Sequence, residues 1–311
     1  MPDTSPRRLI VRFYGGLGNQ IFQYAAGLYF SERISVPLDI VRPHGVPHSM
    51  GFARPFQLDE FSFDTASRPA TRTDRFYFSS KPVYRSMQDA SRGIARIQRV
   101  EEPTSHQFLP TFLDQVRTRT IYLIGHFQVA AYAESIADRL RNSLQIRNEP
   151  QQQNLDYAKT IRALKCPVSV HIRIGDYALH TAAESNSGKQ VTWVLRKSYY
   201  REAIARIRTM LPEAELVVFS DDPAAAEAIM EGEPVSLWVK GNTPASAFEE
   251  LWLMSCCRHH VIANSTFSWW GAWMNPVPNK IVLAPKYWFN TRNSYYPGFF
   301  PASWNVIDNL A

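Results

Sequence analysis

The chain has 311 residues, 45% hydrophobic, 20% charged and 13% aromatic, with a formal net charge of +6. That length exceeds what one hydrophobic core ordinarily serves, so two domains are expected, and the apolar fraction excludes a disordered or fibrous chain. No apolar run approaches the roughly 18 residues of a spanning helix, and three cysteines, with Cys256 and Cys257 adjacent, make no disulfide framework, which fits a reducing, cytoplasmic setting.

The basic excess is scattered, as in Arg92, Arg96 and Arg99, or Arg201, Arg206 and Arg208. No Lys/Arg-dense tail appears, so no nucleic-acid partner is expected. An anionic small substrate, or peripheral contact with an anionic inner-membrane face, accounts for the balance.

In chain order, residues 9–13 are an apolar strand and not a signal peptide. The turn 14–19 follows, then a helix at 20–34 with apolar residues at Ile21, Ala25, Leu28 and Tyr29, with Asn19 as its expected N-cap. Residues 36–41 read as the next strand, completing a βαβ unit with a parallel pair. Residues 42–118 are broken by prolines from Pro43 to Pro110. Phe76 to Phe78 suggest a short strand and 84–99 a helix, within an irregular insertion of the kind that carries specificity.

Thr120–Ile124 is a strand and 130–144 a helix, and polar residues 148–153 mark a junction. The expected domains are therefore 1–150 and 151–290, with a tail at 291–311 that packs back across them. The second half alternates. Helices at 151–164, 198–211, 223–231, 244–256 and 266–274 precede strands at 167–173, 215–219, 235–239, 259–263 and 280–284 respectively. The fold class is α/β, with doubly wound parallel sheets.

Four segments sit where strands end: GGLGNQ (15–20), HIRIGDY (171–177), FSDD (219–222) and NSTFSWWGAW (264–273). Ligands of open α/β sheets bind at strand carboxyl ends. Amides, hydroxyls, an arginine and carboxylates gathered there describe a site for a polyanion with a polar partner, such as a nucleotide-sugar.

In the first segment Gly16 and Gly18 let the backbone approach a ligand, but the third glycine of a dinucleotide fingerprint is missing. In the second, strand alternation puts His171 and Arg173 on one face and Ile172 and Ile174 on the other. Arg173 offers a rigid donor fork for phosphate, whereas His171 reads equally as a core histidine. In the third, Asp222 before Pro223 is a helix cap, which leaves Ser220 and Asp221 nearer the crevice. In the fourth, Asn264 precedes a helix start at which Ser265, Thr266 and Phe267 offer amides to a phosphate. On the preceding helix Glu250 could accept paired hydrogen bonds from a guanine edge, while Glu249 reads as a solvated face. No CxxC, HExxH or DxD pattern occurs, and no metal or other cofactor is expected.

These segments resemble the bacterial-type α-1,2-fucosyltransferases of glycosyltransferase family 11, in motif order from about residue 9 to 290. The family usually shows HxRRGDY, and here the second arginine is Ile174. The resemblance implies a GT-B fold, two Rossmann-like domains facing across a cleft. It implies GDP-β-L-fucose as donor, inversion, no metal, and a galactose-terminated oligosaccharide or glycolipid as acceptor. It places Arg173 on the β-phosphate, His171 near guanine or ribose, Glu250 on guanine, and Ser265, Thr266 and Phe267 on phosphate. Asn19 would face the fucose and the leaving group. Asp176 is the leading candidate for a general base, ahead of Glu184 and His180 in the loop after the motif. Alternatives are a GT-B transferase with another donor or acceptor, and a non-catalytic carbohydrate-binding protein, for which Ile174 is the one favouring feature.

Overall fold

The computed structural model describes residues 7–43, 48–49, 52–53, 55–63, 67–79, 81–103, 106–184 and 193–310. The chain forms two compact units. The first comprises residues 1–48, 53–145 and 298–301, the second 49–52, 146–297 and 302–311.

The first unit is built on a five-stranded parallel sheet in the order Arg68–Pro69, Leu38–Arg42, Arg8–Arg12, Thr120–Ile124, Ile97–Glu101. The helix Leu17–Arg33 follows the first strand. It starts earlier than its apolar period suggested because Gly16, not Asn19, is the N-cap. Gly15 makes the turn possible, with φ at +78°, a conformation that glycine alone adopts without steric cost.

Within the region 42–118 two expectations change, and a third changes just beyond it. Phe76 to Phe78 end a helix, Arg72–Phe78, instead of forming a strand. A capping box starts that helix, in which Thr71 accepts from the Asp74 amide and Asp74 accepts from the Thr71 amide, and this local pairing outweighs the β propensity of three aromatics. The helix expected at 84–99 spans Pro82–Ala95 and stops at Arg96, which has φ of 51°. Ile97–Glu101 is then a strand. The helix expected at 130–144 is two, Ala130–Ser135 and Ala137–Ser143, parted at Ile136, whose φ of −127° and ψ of 27° leave the helical region.

The second unit carries a six-stranded parallel sheet in the order Leu237–Val239, Glu215–Ser220, Pro167–Ile172, His259–Val261, Val282–Pro285, Asn305–Ile307. Counted along the chain this order is 3-2-1-4-5-6, that of a doubly wound dinucleotide-binding sheet. The sixth strand comes from the tail, where the sequence had suggested no strand.

Both faces of this sheet are covered. Val168, Val170, Ile172 and Ile174 pack on Tyr199, Tyr200, Ile204 and Ile207 of the helix Lys197–Met210. Val217, Phe219 and Val239 pack on Ala158 and Ile161 of Gln152–Ala163 and on Leu253 and Met254 of Ala247–Cys256. Two-sided burial explains the near-continuous apolar strands. Among the described residues no helix is long and apolar enough to cross a membrane.

Candidate active site

The strand order of the second unit reverses direction of growth between Pro167–Ile172 and His259–Val261. That switch point is where such sheets bind ligands, and most of the singled-out residues collect there.

Arg173 lies one residue past the strand. Its Nη1 is 2.7 Å from Asp221 Oδ2 and its Nη2 donates to Asp176 Oδ1 at 2.5 Å. The guanidinium also lies over the Tyr177 ring, 5.3 Å from its centroid. Two carboxylates and an aromatic face thus hold the fork in one orientation. Two of its five N–H groups are accounted for by these ion pairs.

Asp221 also accepts the Ile174 amide at 2.9 Å. A Cβ on Gly175 would stand 2.3 Å from Asp221 Oδ2, so the glycine of the motif is what lets this carboxylate reach both partners. Asp176 is buried and serves Arg173 directly.

Ile174 is buried in the aliphatic core, on the side away from the arginine as strand alternation required. The residue that departs from the family motif is therefore a core side chain here. His180 and Glu184 fall in a helix, Gly175–Glu184, and not in a loop; their side chains lie outside the described residues.

His171 is buried, its ring 5.7 Å from that of Phe267. Burial, then the nearby Arg173 charge, push its pKa down to about 3. It is a neutral imidazole at any working pH, and its Nδ1 has no partner among the described residues.

Glu249 and Glu250 behave oppositely to a solvated pair. Glu249 is buried, contrary to the solvated face its position suggested, because its Oε2 accepts from the Gln151 amide at 2.8 Å and from Asn154 Nδ2 at 2.7 Å. It caps the helix Gln152–Ala163 from a neighbouring helix. Glu250 is half-buried, and burial, then the Asp221 carboxylate, raise its pKa to about 7; Asn242 and Arg173 offset only part of this.

At the other side of the switch point the helix Thr266–Met274 begins, with Ser265 as N-cap. Its hydroxyl accepts the Phe267 amide at 3.3 Å, so that amide is not wholly free for a phosphate. Like all first-turn groups, the Thr266 amide has no carbonyl four residues back. Asn264 is fully buried, and its Nδ2 donates to the Trp193 carbonyl at 3.0 Å and the Trp288 carbonyl at 3.1 Å. Its side chain joins three chain segments instead of lining an open surface. Asp222 caps its helix through the Ala225 amide at 3.1 Å, and Ser220 closes the same turn.

Gly16, Gly18 and Asn19 belong to the first unit. Asn19 Oδ1 accepts from Gln128 Nε2 at 2.9 Å. Gln20 bonds the carbonyls of Gly15 and Pro55, at 3.0 and 2.9 Å, and Gln23 brackets the backbone of Tyr14. Near this loop the sequence reading missed Glu102, whose carboxylate takes the His126 and Phe127 amides at 2.8 and 3.2 Å. The signal was available: Glu102 and the stretch Gly125 to Gln128 each follow a strand. Among the described residues no group of three His, Cys, Asp or Glu side chains gathers as metal ligands would.

Comparison with known proteins decides the family. The profile of glycosyl transferase family 11 matches residues 110–308. The chain belongs to glycosyltransferase family 11. An O-antigen biosynthesis glycosyltransferase of Escherichia coli, WbnK, is 30% identical over 90% of this chain and 94% of its own. An α-1,2-colitosyltransferase of Escherichia coli is 28% identical over 96% and 99% respectively. Among solved structures, a variant of Arabidopsis thaliana FUT1 in complex with GDP superposes with a TM-score of 0.54 at 12% identity, over 96% of this chain and 76% of that one. A NodZ α-1,6-fucosyltransferase soaked with GDP-fucose gives 0.50 at 15% identity, over 88% and 94%. This family 11 chain has the GT-B class of fold, with two parallel-sheet units flanked by helices. In it the arginine of the HxRRGDY motif that survives, Arg173, is the one at the switch point.

Proposed function

We propose that this family 11 glycosyltransferase moves L-fucose from GDP-β-L-fucose to the 2-hydroxyl of a terminal galactoside, with inversion and without a metal. The observation that carries the reading is Arg173. It stands at the switch point of the second sheet, fixed by Asp176 and Asp221, with Glu250 and the first turn of Thr266–Met274 beside it.

The chemistry asked of the chain is small. The acceptor hydroxyl attacks the anomeric carbon as GDP leaves, and charge grows on the departing diphosphate. A preoriented guanidinium and a helix N-terminus stabilise that charge without reorganising. Asp176 and Asp221 hold the fork still, and Asp176 thereby acts as a positioning residue. Glu250 accepts the guanine N1–H and N2–H₂ donors, and neutral His171 adds a polar edge near the nucleoside. In the first unit, Asn19 handles the sugar with its amide set by Gln128. The donor of one relative is named by its colitose, so GDP-colitose is the competing donor.

The test is transfer from GDP-fucose and GDP-colitose to a panel of β-galactosides in EDTA, with linkages mapped by NMR. An α-1,2-linked fucoside formed in EDTA is the expected result. Preference for colitose would move the donor, and activity abolished by EDTA and restored by Mn²⁺ would refute the metal-free reading. Arg173→Lys, which keeps charge and loses the fork, is expected to lower kcat/KM by roughly 100-fold or more.

A further inference from the structure

Tyr177 closes the motif HIRIGDY. The helix Gly175–Glu184 starts two residues after Arg173 and carries Asp176 and Tyr177 in its first turn. They stand three and four residues on from the arginine, the spacing at which side chains of a helical turn meet. Asp176 takes an edge of the guanidinium at 2.5 Å, and Asp221 takes another at 2.7 Å. Tyr177 takes the face, with the guanidinium carbon 5.3 Å from its ring centroid.

The far end of the same side chain reaches a different element. The Tyr177 hydroxyl donates to the Asn264 carbonyl at 3.1 Å. That carbonyl belongs to the peptide joining Asn264 to Ser265, the N-cap of the helix Thr266–Met274. A peptide unit is planar, and among the described residues none is cis. Holding its oxygen therefore fixes the direction of the Ser265 N–H at the other side of the plane. One side chain thus touches both the guanidinium of Arg173 and the backbone at the helix start.

This hydrogen bond is not what keeps the strand-to-helix link in place. The Tyr199 hydroxyl holds the Ile262 carbonyl at 2.7 Å, and the Asn264 amide holds the carbonyls of Trp193 and Trp288. The link is anchored without Tyr177. What the half-buried Tyr177 adds is the orientation of one peptide plane relative to one guanidinium. Orientation matters where charge grows on a departing diphosphate, because donors already aimed at it need no reorganisation.

We propose that Tyr177 is a positioning residue that locks Arg173 and the start of the helix Thr266–Met274 into one diphosphate cradle. The proposal rests on the reading of this site as the binding site of a GDP-sugar. The test compares Tyr177→Phe, which keeps the ring and loses the hydroxyl, with Tyr177→Leu, which loses both. Each full-length variant is titrated with GDP and with inorganic pyrophosphate, assayed for kcat and for the KM of donor and acceptor, and unfolded in urea.

Tyr177→Phe is expected to lower kcat and GDP affinity by roughly fivefold, the worth of one hydrogen bond. Tyr177→Leu is expected to lower both by roughly thirty-fold, since the cation–π contact goes too. Pyrophosphate affinity should fall in the same order, and acceptor KM should not move. A lowered urea midpoint with wild-type kcat and GDP affinity would make Tyr177 a packing residue and overturn the proposal. Equal losses in the two variants would overturn the part played by the ring. GDP binding that weakens as expected in a protein that transfers no fucose would sink the fucose reading and leave this one supported. Absence of both GDP and pyrophosphate binding by the wild-type chain would overturn the two together.

Discussion

Glu250 ties the structure to a pH profile. Burial, then the Asp221 carboxylate, raise its pKa to about 7, so below that value it is mostly protonated. A carboxylate accepts both guanine donors, whereas a carboxylic acid presents a donor of its own where an acceptor is needed. Donor affinity should therefore fall as pH falls. With a pKa of 7 the ionised fraction drops about tenfold between pH 8 and pH 6, which is about 1.4 kcal/mol of binding. The assay is calorimetric titration of GDP at both pH values, in buffers of different ionisation enthalpy. The terminal phosphate of GDP titrates in the same range, so the comparison is with Glu250→Gln, which shares that contribution. Wild type should lose about tenfold more affinity than the variant and should release a proton on binding at pH 6. Equal pH dependence in the two proteins would refute the guanine role. Stability gives an independent sign. The folded chain keeps the Glu250 proton between the ordinary carboxyl range and about pH 7, where the unfolded chain has lost it, so stability falls as pH rises through that window. Glu250→Gln should accordingly be the more stable protein at pH 8, by on the order of 1 kcal/mol.

Two further substitutions probe the frame around Arg173. Gly175→Ala places a methyl where Asp221 Oδ2 now lies, 2.3 Å away. It should displace that carboxylate, destabilise by about 1–3 kcal/mol and lower donor affinity. A urea midpoint and GDP affinity both equal to wild type would contradict the packing. Asn264→Ala strands two backbone carbonyls in a fully buried place and should cost about 2–4 kcal/mol in urea denaturation. Reduced GDP affinity at unchanged stability would instead make Asn264 a ligand of the donor.

The second sheet was legible because burial on both faces leaves apolar strands with polar, helix-starting turns between them, and each such turn has a chemical mark. Asp222 before Pro223 was readable as a cap, and it is one. The first unit was harder for the same physical reason in reverse. Ile97–Glu101 has the sequence IQRVE, half-buried at its first four residues and exposed at the fifth, so no alternation betrays a strand. The helix Arg72–Phe78 depends on one capping pair, Thr71 with Asp74, against three aromatics that favour a strand. The local signal was present at fixed spacing, and composition drowned it.

The site shows the same division. Residue type and strand parity were enough to place Arg173 and Ile174 on opposite sides, and the side chain that stands where the motif has its second arginine does lie in the core. What parity could not give is which polar groups spend their hydrogen bonds on the fold. Asn264 and Glu249 carry the same chemistry as a ligand-reading amide and carboxylate, yet the first joins Trp193 to Trp288 and the second caps a helix. Glu250, one residue on, is desolvated and sits beside Asp221, and its hydrogen bond with Asn242 offsets only part of this, which is why its proton is held to about pH 7. A carboxylate raised by desolvation and a like charge, at a switch point, carries a cost in the empty protein. On the proposed reading, two guanine donors would neutralise that cost, and donor selectivity would follow because an adenine or uracil edge presents no such pair of donors.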